Sequence, residues 1–419
     1  MTEGFNVRLN NSAILSLCFS RNGADSLRGS KTLPAHDAFL FTHQHLVRTL
    51  ESSLPLKFPF DYRNCGNVLL QIMKTLSSIT IRLSVLTALV VCSMGHRAIA
   101  QSQYTVTDLG TLPAFNSSEA GGINASGQVA GWSHNTSGID HAFVWTSGSG
   151  LLDLGTLGFN SSAAIGINAF SQAAGEVYNS SGPSHAFFWT TDAGLADVHS
   201  SSLFSSSEAM GINGAGQIVG RLANPTGSVH AFLWSSDAGM SDLGPMPGMT
   251  DSFARGINDS GQVVGTSWND TDGRAFLWTS GAGFTDLGTL PGFIYALASS
   301  INASGQVVGE ASNDTGPIDG FLWTPDGTMT DLGTLPGFLY LQPYAINASA
   351  AVVGQVSNDV RSQRAFIWQN GVVTDLNTLI PSESGWVLNI ATGINDSGQI
   401  TGTGTLAGAR RAFLLTPIP

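Results

Sequence analysis

The sequence predicts an all-β fold: a seven-bladed β-propeller of four-stranded antiparallel blades, closed by the N-terminal strand completing the last blade. Three observations predict it. An Ile-Asn pair returns at Ile123, Ile167, Ile212, Ile257, Ile301, Ile346 and Ile394, at steps of 44, 45, 45, 44, 45 and 48 residues. Each interval reads as four short strands, and four strands per repeat of about 45 residues is the measure of a propeller blade. The phase at the two ends is the third. The repeats open on "YTVTDLGTL", Tyr104 to Leu112, a fourth strand without its first three, and close on Phe413 to Pro419, after a third strand without its fourth. Joining the two completes the seventh blade and removes an exposed edge. An open solenoid gains nothing from that offset and needs atypical capping repeats.

The elements follow in chain order. Residues 1–72 show no clear periodicity or repeat and read as an upstream extension from a misplaced start, without structure. Residues 73–100 have the three parts of a secretory signal peptide: Lys74 and Arg82, then the mostly apolar run Leu83 to Met94, then Ala98-Ile99-Ala100 before a cleavage point. That run is too short for a permanent membrane span. Val91 before Cys92 argues against lipidation. The mature chain is expected to begin near Gln101, so the repeats fill 101–419.

Within each repeat the first strand is "AxGIN". The turn "NASG" or "NDSG" follows, because Asn and Asp tolerate turn conformations and Gly accepts positive φ. The second strand is "QVVG", as at Gln262 to Gly265. The third is "HAFLWT", in which Phe143 and Trp145 face one way and Ala142 and Val144 the other. The fourth is "DLGTL", usually stopped by Pro-Gly. The residue before each Ile is Gly122, Gly166, Gly211, Gly256, Ser300, Ala345 or Gly393, and two positions earlier it is Ala except at Pro343. A strand with only small side chains on one face suits a crowded central axis. No stretch after Gln101 holds a helical period.

The pattern "GINxxGQVVGxS…HAFLWxxGxGxxDLGTLPG" resembles the HAF repeat family of bacterial extracellular proteins, named for the His-Ala-Phe triplet present at His141, His185 and His230. The resemblance runs from Tyr104 to Leu415. Arg274, Gly320, Arg364 and Arg411 depart from it at the histidine position. It implies Sec-type export from a bacterial cell and a repeat fold, and no particular reaction.

Charge narrows the partners. From Gln101 onward there are seven arginines and no lysine against 24 acids, about −17, whereas residues 1–100 carry ten bases and five acids. Such a field repels nucleic acid and anionic membrane surfaces. The three cysteines, Cys18, Cys65 and Cys92, all precede Gln101, so the repeats hold neither a disulfide nor a cysteine metal site.

The residues that could carry chemistry read mainly as structure. His141, His185 and His230 are equivalent positions on adjacent blades, and a metal requires its ligands within roughly 2.0–2.2 Å. A strand-end side chain bonding locally fits them better. Asp108, Asp153, Asp197, Asp242, Asp286, Asp331 and Asp375 recur once per repeat, which suggests a local task such as satisfying backbone donors at a turn. "NDTDG" (Asn269 to Gly273) and "NDTG" (Asn313 to Gly316) lack the ligands and closing Glu of a calcium loop. Asn-x-Ser/Thr sequons, as at Asn116 and Asn258, mark turns. No nucleophile elbow, zinc helix or phosphate loop is present. No catalytic residue, metal or cofactor is therefore expected.

Function on a pseudo-symmetric ring belongs where symmetry breaks. The loops between second and third strands and those between blades emerge on one face, and they vary. Trp132, Trp268 and Trp386 fall in or near them, with Tyr340 and Tyr344 in a related stretch. Arg255 replaces Gly, Ile, Met, Ser, Tyr or Thr on an inner strand. Exposed aromatics amid polar residues suit sugar or protein contact; the competing expectation is that the tryptophans pack between blades. The sequence-level reading is a secreted or cell-surface, monomeric, non-enzymatic propeller binding an extracellular or envelope glycan or protein through one loop face, with no membrane insertion after cleavage. Two alternatives stand beside it: a glycan hydrolase or lyase using acids such as Glu119, Glu208 or Asp251 near the axis, and a purely structural surface module.

Overall fold

The computed structural model describes residues 103–358 and 362–418. The expected extension (1–72) and signal peptide (73–100) lie outside the described residues. No helix among the described residues is long and apolar enough to cross a membrane.

The described chain is all-β apart from two short 3-10 turns, Leu376–Thr378 and Ser382–Ser384. Its strands form five four-stranded antiparallel sheets and one eight-stranded sheet. The larger sheet is two four-stranded meanders joined by one parallel pairing, Gly273 with Tyr295. The first meander is typical: Ser117–Ile123, Val129–His134, Asp140–Thr146 and Gly150–Gly155, paired in sequence. The last sheet is composed differently. Trp386–Ile394, Ile400–Leu406 and Ala409–Pro417 come from the C-terminal end, and Tyr104–Asp108 pairs antiparallel with the third of these, from Tyr104 opposite Pro417 to Asp108 opposite Phe413.

The recurring Ile-Asn pair has a specific task. Asn124 Oδ1 accepts from the backbone N–H of Ser126 and Gln128, at 3.1 and 2.9 Å, closing the hairpin between first and second strands. Its Nδ2 donates to Gln128 Oε1 and also to the carbonyl of Asn168, the equivalent residue of the next meander, at 3.0 Å. The same inter-sheet bond runs from Asn168 to Asn213, Asn213 to Asn258, Asn258 to Asn302, Asn302 to Asn347, Asn347 to Asn395, and from Asn395 to Asn124. These asparagines are all buried, where an unpartnered amide would be costly. Only a side chain with both donor and acceptor can close its own turn and bridge to a neighbour.

The core lies between sheets. Phe143, Phe187, Phe232, Phe276, Phe321, Phe366 and Phe413, the phenylalanines of the third strands, are fully buried, each contributing roughly 1.5–3 kcal/mol of hydrophobic stabilisation. They press on the glycine that ends "QVVG". A Cβ on Gly131 would meet Phe143 Cζ at 2.7 Å and the carbonyl oxygen of Glu119 at 2.2 Å. The first strands also crowd one another. A Cβ on Gly121 would lie 2.5 Å from Ala164 O, and one on Gly211 2.8 Å from Arg255 O.

The fourth strand differs from its sequence-level limits. It covers the residues before the Asp-Leu-Gly triplet, as in Gly239–Asp242 and Gly283–Asp286, and stops at or just after the aspartate. There Asp242 Oδ1 accepts from Gly244 N–H at 2.8 Å, and Asp108, Asp153 and Asp286 repeat the bond. An Asx turn of this kind bends the chain out of the sheet, so the Thr-Leu that follows begins the crossover.

Candidate functional site

The site arises from one irregularity repeated seven times. In every first strand the register with the second slips by one residue, at Ala120/Gly122, Ala164/Gly166, Ala209/Gly211, Ala254/Gly256, Ala298/Ser300, Pro343/Ala345 and Ala391/Gly393. A β-bulge leaves its extra residue out of the ladder and re-aims its side chain. The extra residues are Gly121, Ile165, Met210, Arg255, Ser299, Tyr344 and Thr392, and all seven line one cavity of about 540 Å³. The cavity wall is otherwise the residue pairs ending in the recurring Ile, with Gly before it in five strands and Ser300 or Ala345 in the other two, together with Ala209, Glu176 and Glu208.

A second variable set lies beside the first. The residue after each "QVVG" glycine is Trp132, Glu176, Arg221, Thr266, Glu310, Gln355 or Thr403. Each faces a first-strand residue: Glu119 faces Trp132, Ala163 faces Glu176, Glu208 faces Arg221, Phe253 faces Thr266, Leu297 faces Glu310, Gln342 faces Gln355 and Ile390 faces Thr403. All lie near the strand ends that carry the loops between second and third strands, opposite the Asn turns.

The charges here are unevenly matched. Arg221 gives Glu208 two hydrogen bonds of 2.8 Å through Nε and Nη2, a bidentate pair. Glu310 accepts from Gln342 Nε2 at 2.8 Å, and Gln342 Oε1 accepts from Gln355 Nε2 at 2.6 Å. Glu176, facing Ala163, has no cross-strand partner of its own. Burial pushes its carboxyl up to about 7, Glu208 adds repulsion, and Arg221 opposes the rise. Arg255 places its guanidinium 5.1 Å from the centre of the Phe253 ring, a cation–π distance. Its buried Nε has no hydrogen-bond partner. Burial raises the Tyr344 hydroxyl to about 12, with Glu310 adding to the shift and Arg255 reducing it.

A separate polar network sits by Trp132. His134 contacts Asp140 through Nδ1 and Glu119 through Nε2, the latter at 3.0 Å. Tyr178 donates to Asp140, and Arg410 Nη2 donates to Glu119 at 2.8 Å. The hydrogen bonds to Asp140 and then Glu119 raise His134 to about 9, against its partial burial. Burial opposes ionisation of Glu119, yet its bonds from His134 and Arg410 leave it below the ordinary carboxylate value. The network joins the last sheet to the first by the Arg410–Glu119 ion pair and the second sheet to the first by the Tyr178 hydroxyl.

The six residues singled out from sequence divide. Arg255 and Tyr344 line the cavity. Trp132 is part-buried, its indole N–H 3.1 Å from His134 Nε2. Trp268 packs its ring 5.4 Å from Phe253. Trp386 packs edge-on to Phe413 at 5.9 Å, against the core of the last sheet. Tyr340 begins its strand opposite Ser357. None of these last four lines the cavity. Sequence reading missed Glu176, Arg221 and Glu310, although their signal was present: the position after the recurring glycine holds five residue types in seven repeats.

The recurring histidines and aspartates are one motif. Nδ1 of His141, His185 and His230 contacts Asp153, Asp197 and Asp242 at 2.9, 2.7 and 2.9 Å. Phe115, Phe159 and Phe204 pack on the three imidazoles at ring distances of 5.0–5.2 Å. Where arginine replaces histidine, Arg274 Nη1 still reaches Asp286, at 3.2 Å. At Gly320 a Cβ would fall 2.2 Å from Leu341 Cδ2, so the larger neighbour excludes a side chain there. Each set lies within its own sheet, as a local structural task requires.

Comparison with known proteins places the fold. The structural neighbours are β-propellers. The virginiamycin B lyase of Staphylococcus aureus is similar to 75% of this chain over 100% of its own, with a TM-score of 0.50 and 11% identity. A streptogramin B lyase structure matches 75% of this chain and 98% of its own, with a TM-score of 0.50 and 9% identity. The β-propeller domain of the Trilobed protease from Pyrococcus furiosus, described as having an open velcro topology, matches at a TM-score of 0.43 and 11% identity over 61% of this chain and 79% of that one. No family model matches the sequence, and no curated protein is similar to it. At these identities the likeness concerns the fold alone.

Proposed function

We propose that this chain is an exported, closed seven-bladed propeller that binds an extracellular or envelope glycan or protein at the cavity where its first strands converge. The pairing of Tyr104–Asp108 with the C-terminal strand and the return bond from Asn395 to Asn124 support closure. The resemblance to HAF repeats supports a bacterial extracellular setting. One observation carries the binding reading. Seven bulges aim Gly, Ile, Met, Arg, Ser, Tyr and Thr into a single cavity, while the residues that hold the sheets together recur almost unchanged. A purely structural module has no use for such variety. Glycan and peptide arrays probed with the purified repeats test it. Bound features lost on Arg255→Ala or Tyr344→Ala, both cavity-lining residues, place the contact in the cavity; normal binding by both folded variants overturns that placement.

The hydrolase or lyase alternative has one observation in its favour. Glu176 is raised to about 7 while Glu208, lining the same cavity, is held by Arg221. A carboxyl group that holds its proton near neutral pH suits a general acid, and Glu208 brings a second carboxyl group into the same cavity. Turnover of a glycan panel that disappears in Glu176→Gln would establish it; binding without turnover would dismiss it.

A further inference from the structure

We infer that the axial cavity binds a small zwitterion, its amine at Glu176 and its carboxylate at Arg255. The inference deepens the binding reading above and rests on it for the location of the site.

Among the charged side chains around the cavity, most are already matched. Arg221 is committed to Glu208 and Glu310 to Gln342. Two are not. Arg255, aimed into the cavity by its bulge, makes no ion pair among the described residues, and its Nε has no acceptor. Stacking on Phe253 removes one face of the guanidinium from water without supplying a counter-charge. Glu176 likewise has no hydrogen bond or ion pair among the described residues, and the raised value of its carboxyl reflects lost solvation. These two groups belong to different sheets, the second and the fourth, and they do not pair with each other. Burying charge without a partner is costly. A ligand carrying both opposite charges relieves both costs together, whereas a singly charged ligand relieves one.

The rest of the cavity agrees with such a ligand. Tyr344 presents a hydroxyl that stays protonated through neutral pH and can donate to a carboxylate beside Arg255. Between the polar groups the wall is Gly, Ile, Ala and Met, able to cover a short methylene or peptide chain. A volume of about 540 Å³ falls within the range of small-molecule pockets, about 300–1,000 Å³. Because the charged groups come from non-adjacent sheets, the fitting zwitterion has its amine and carboxylate several bonds apart, as in an ω-amino acid or short peptide.

Titration calorimetry at pH 8 tests this with 6-aminohexanoate and triglycine, against hexanoate and hexylamine as single-charge controls. The expected result is binding of at least one zwitterion about tenfold or more tighter than either control. That binding weakens at least tenfold in Arg255→Met and in Glu176→Gln, and severalfold in Tyr344→Phe, each variant first checked for native circular dichroism. No binding by either zwitterion overturns the inference, as does equal binding by the controls or affinity unchanged in folded Arg255→Met and Glu176→Gln. Arrays that bind while both zwitterions fail sink this inference alone. Zwitterion binding with silent arrays sinks the glycan or protein reading and leaves the cavity site standing.

Discussion

Asn395 donates its side-chain amide to the backbone carbonyl of Asn124, 3.0 Å away in space and 271 positions away in sequence. The same asparagine closes its own turn by accepting from Ser397 and Gln399 N–H at 3.1 and 2.9 Å. Replacing it with alanine leaves one buried carbonyl and two turn donors without this partner. A loss of about 1–3 kcal/mol is expected, the cost of leaving a buried polar group unmade. Urea denaturation measures it, and Asn213→Ala, which removes the equivalent bond between the third and fourth meanders, is expected to cost a similar amount. A loss at Asn213 with none at Asn395 would mean that the first and last sheets are not held by this bond.

Deleting residues 101–112 removes the strand Tyr104–Asp108 and leaves Ala409–Pro417 as an unpaired edge. An exposed edge invites pairing with another chain. The truncated protein is expected to sediment in sedimentation velocity as a larger species than the intact repeats at the same concentration.

Gly220 shows how little room the bulges leave. A Cβ there would stand 1.9 Å from the carbonyl oxygen of Glu208 and 2.8 Å from Phe232 Cε1. Neither the strand backbone nor a fully buried ring can yield cheaply. Gly220→Ala is expected to cost about 3 kcal/mol or to prevent soluble expression. Thermal melting checks this against Ser299→Ala, a substitution at a cavity-lining residue that is expected to change stability little.

His134 is predicted to stay protonated until pH approaches 9, held by Asp140 and Glu119. Its folded value lies above its ordinary 6.5, so its stabilisation is complete below pH 6.5 and fades as pH rises through 9. His134→Gln is therefore expected to destabilise the protein at pH 6 and to cost progressively less toward pH 10. The imidazole NMR titration gives the value directly, and a midpoint near 6.5 would contradict the ion-pair geometry.

Glu176 also loses stability with rising pH, but because the fold disfavours its charged form rather than because a favourable charge is lost. Its folded value, about 7, lies above that of an exposed glutamate. The folded state therefore binds a proton that the unfolded chain has released between pH 4.5 and 7. Stability falls across that window and stays reduced above it. Glu176→Gln is expected to flatten this decline and to raise the melting temperature at pH 8 by a few degrees, with little change at pH 4. A variant whose melting profile keeps the wild-type slope would place the titration elsewhere.

The sequence by itself determined the repeat, its length and its four strands. Those follow from local chemistry: Asn and Gly close turns, alternating Phe and Trp build strands, and the period needs no distant contact to be read. Arg255 was legible for the same reason, being the one charged residue in its column of seven. The tertiary structure decided which columns meet. A bulge is a slip between two strands and leaves little trace in either alone, so the convergence of seven extra residues on one cavity could not be read from spacing. Nor could the solitude of Glu176. Whether a charge is matched depends on what the neighbouring sheets bring beside it, and Arg221 reaches Glu208 while no cation among the described residues forms an ion pair with Glu176. For Trp386 the same packing worked the other way, turning a residue conspicuous in sequence into part of the last sheet's core.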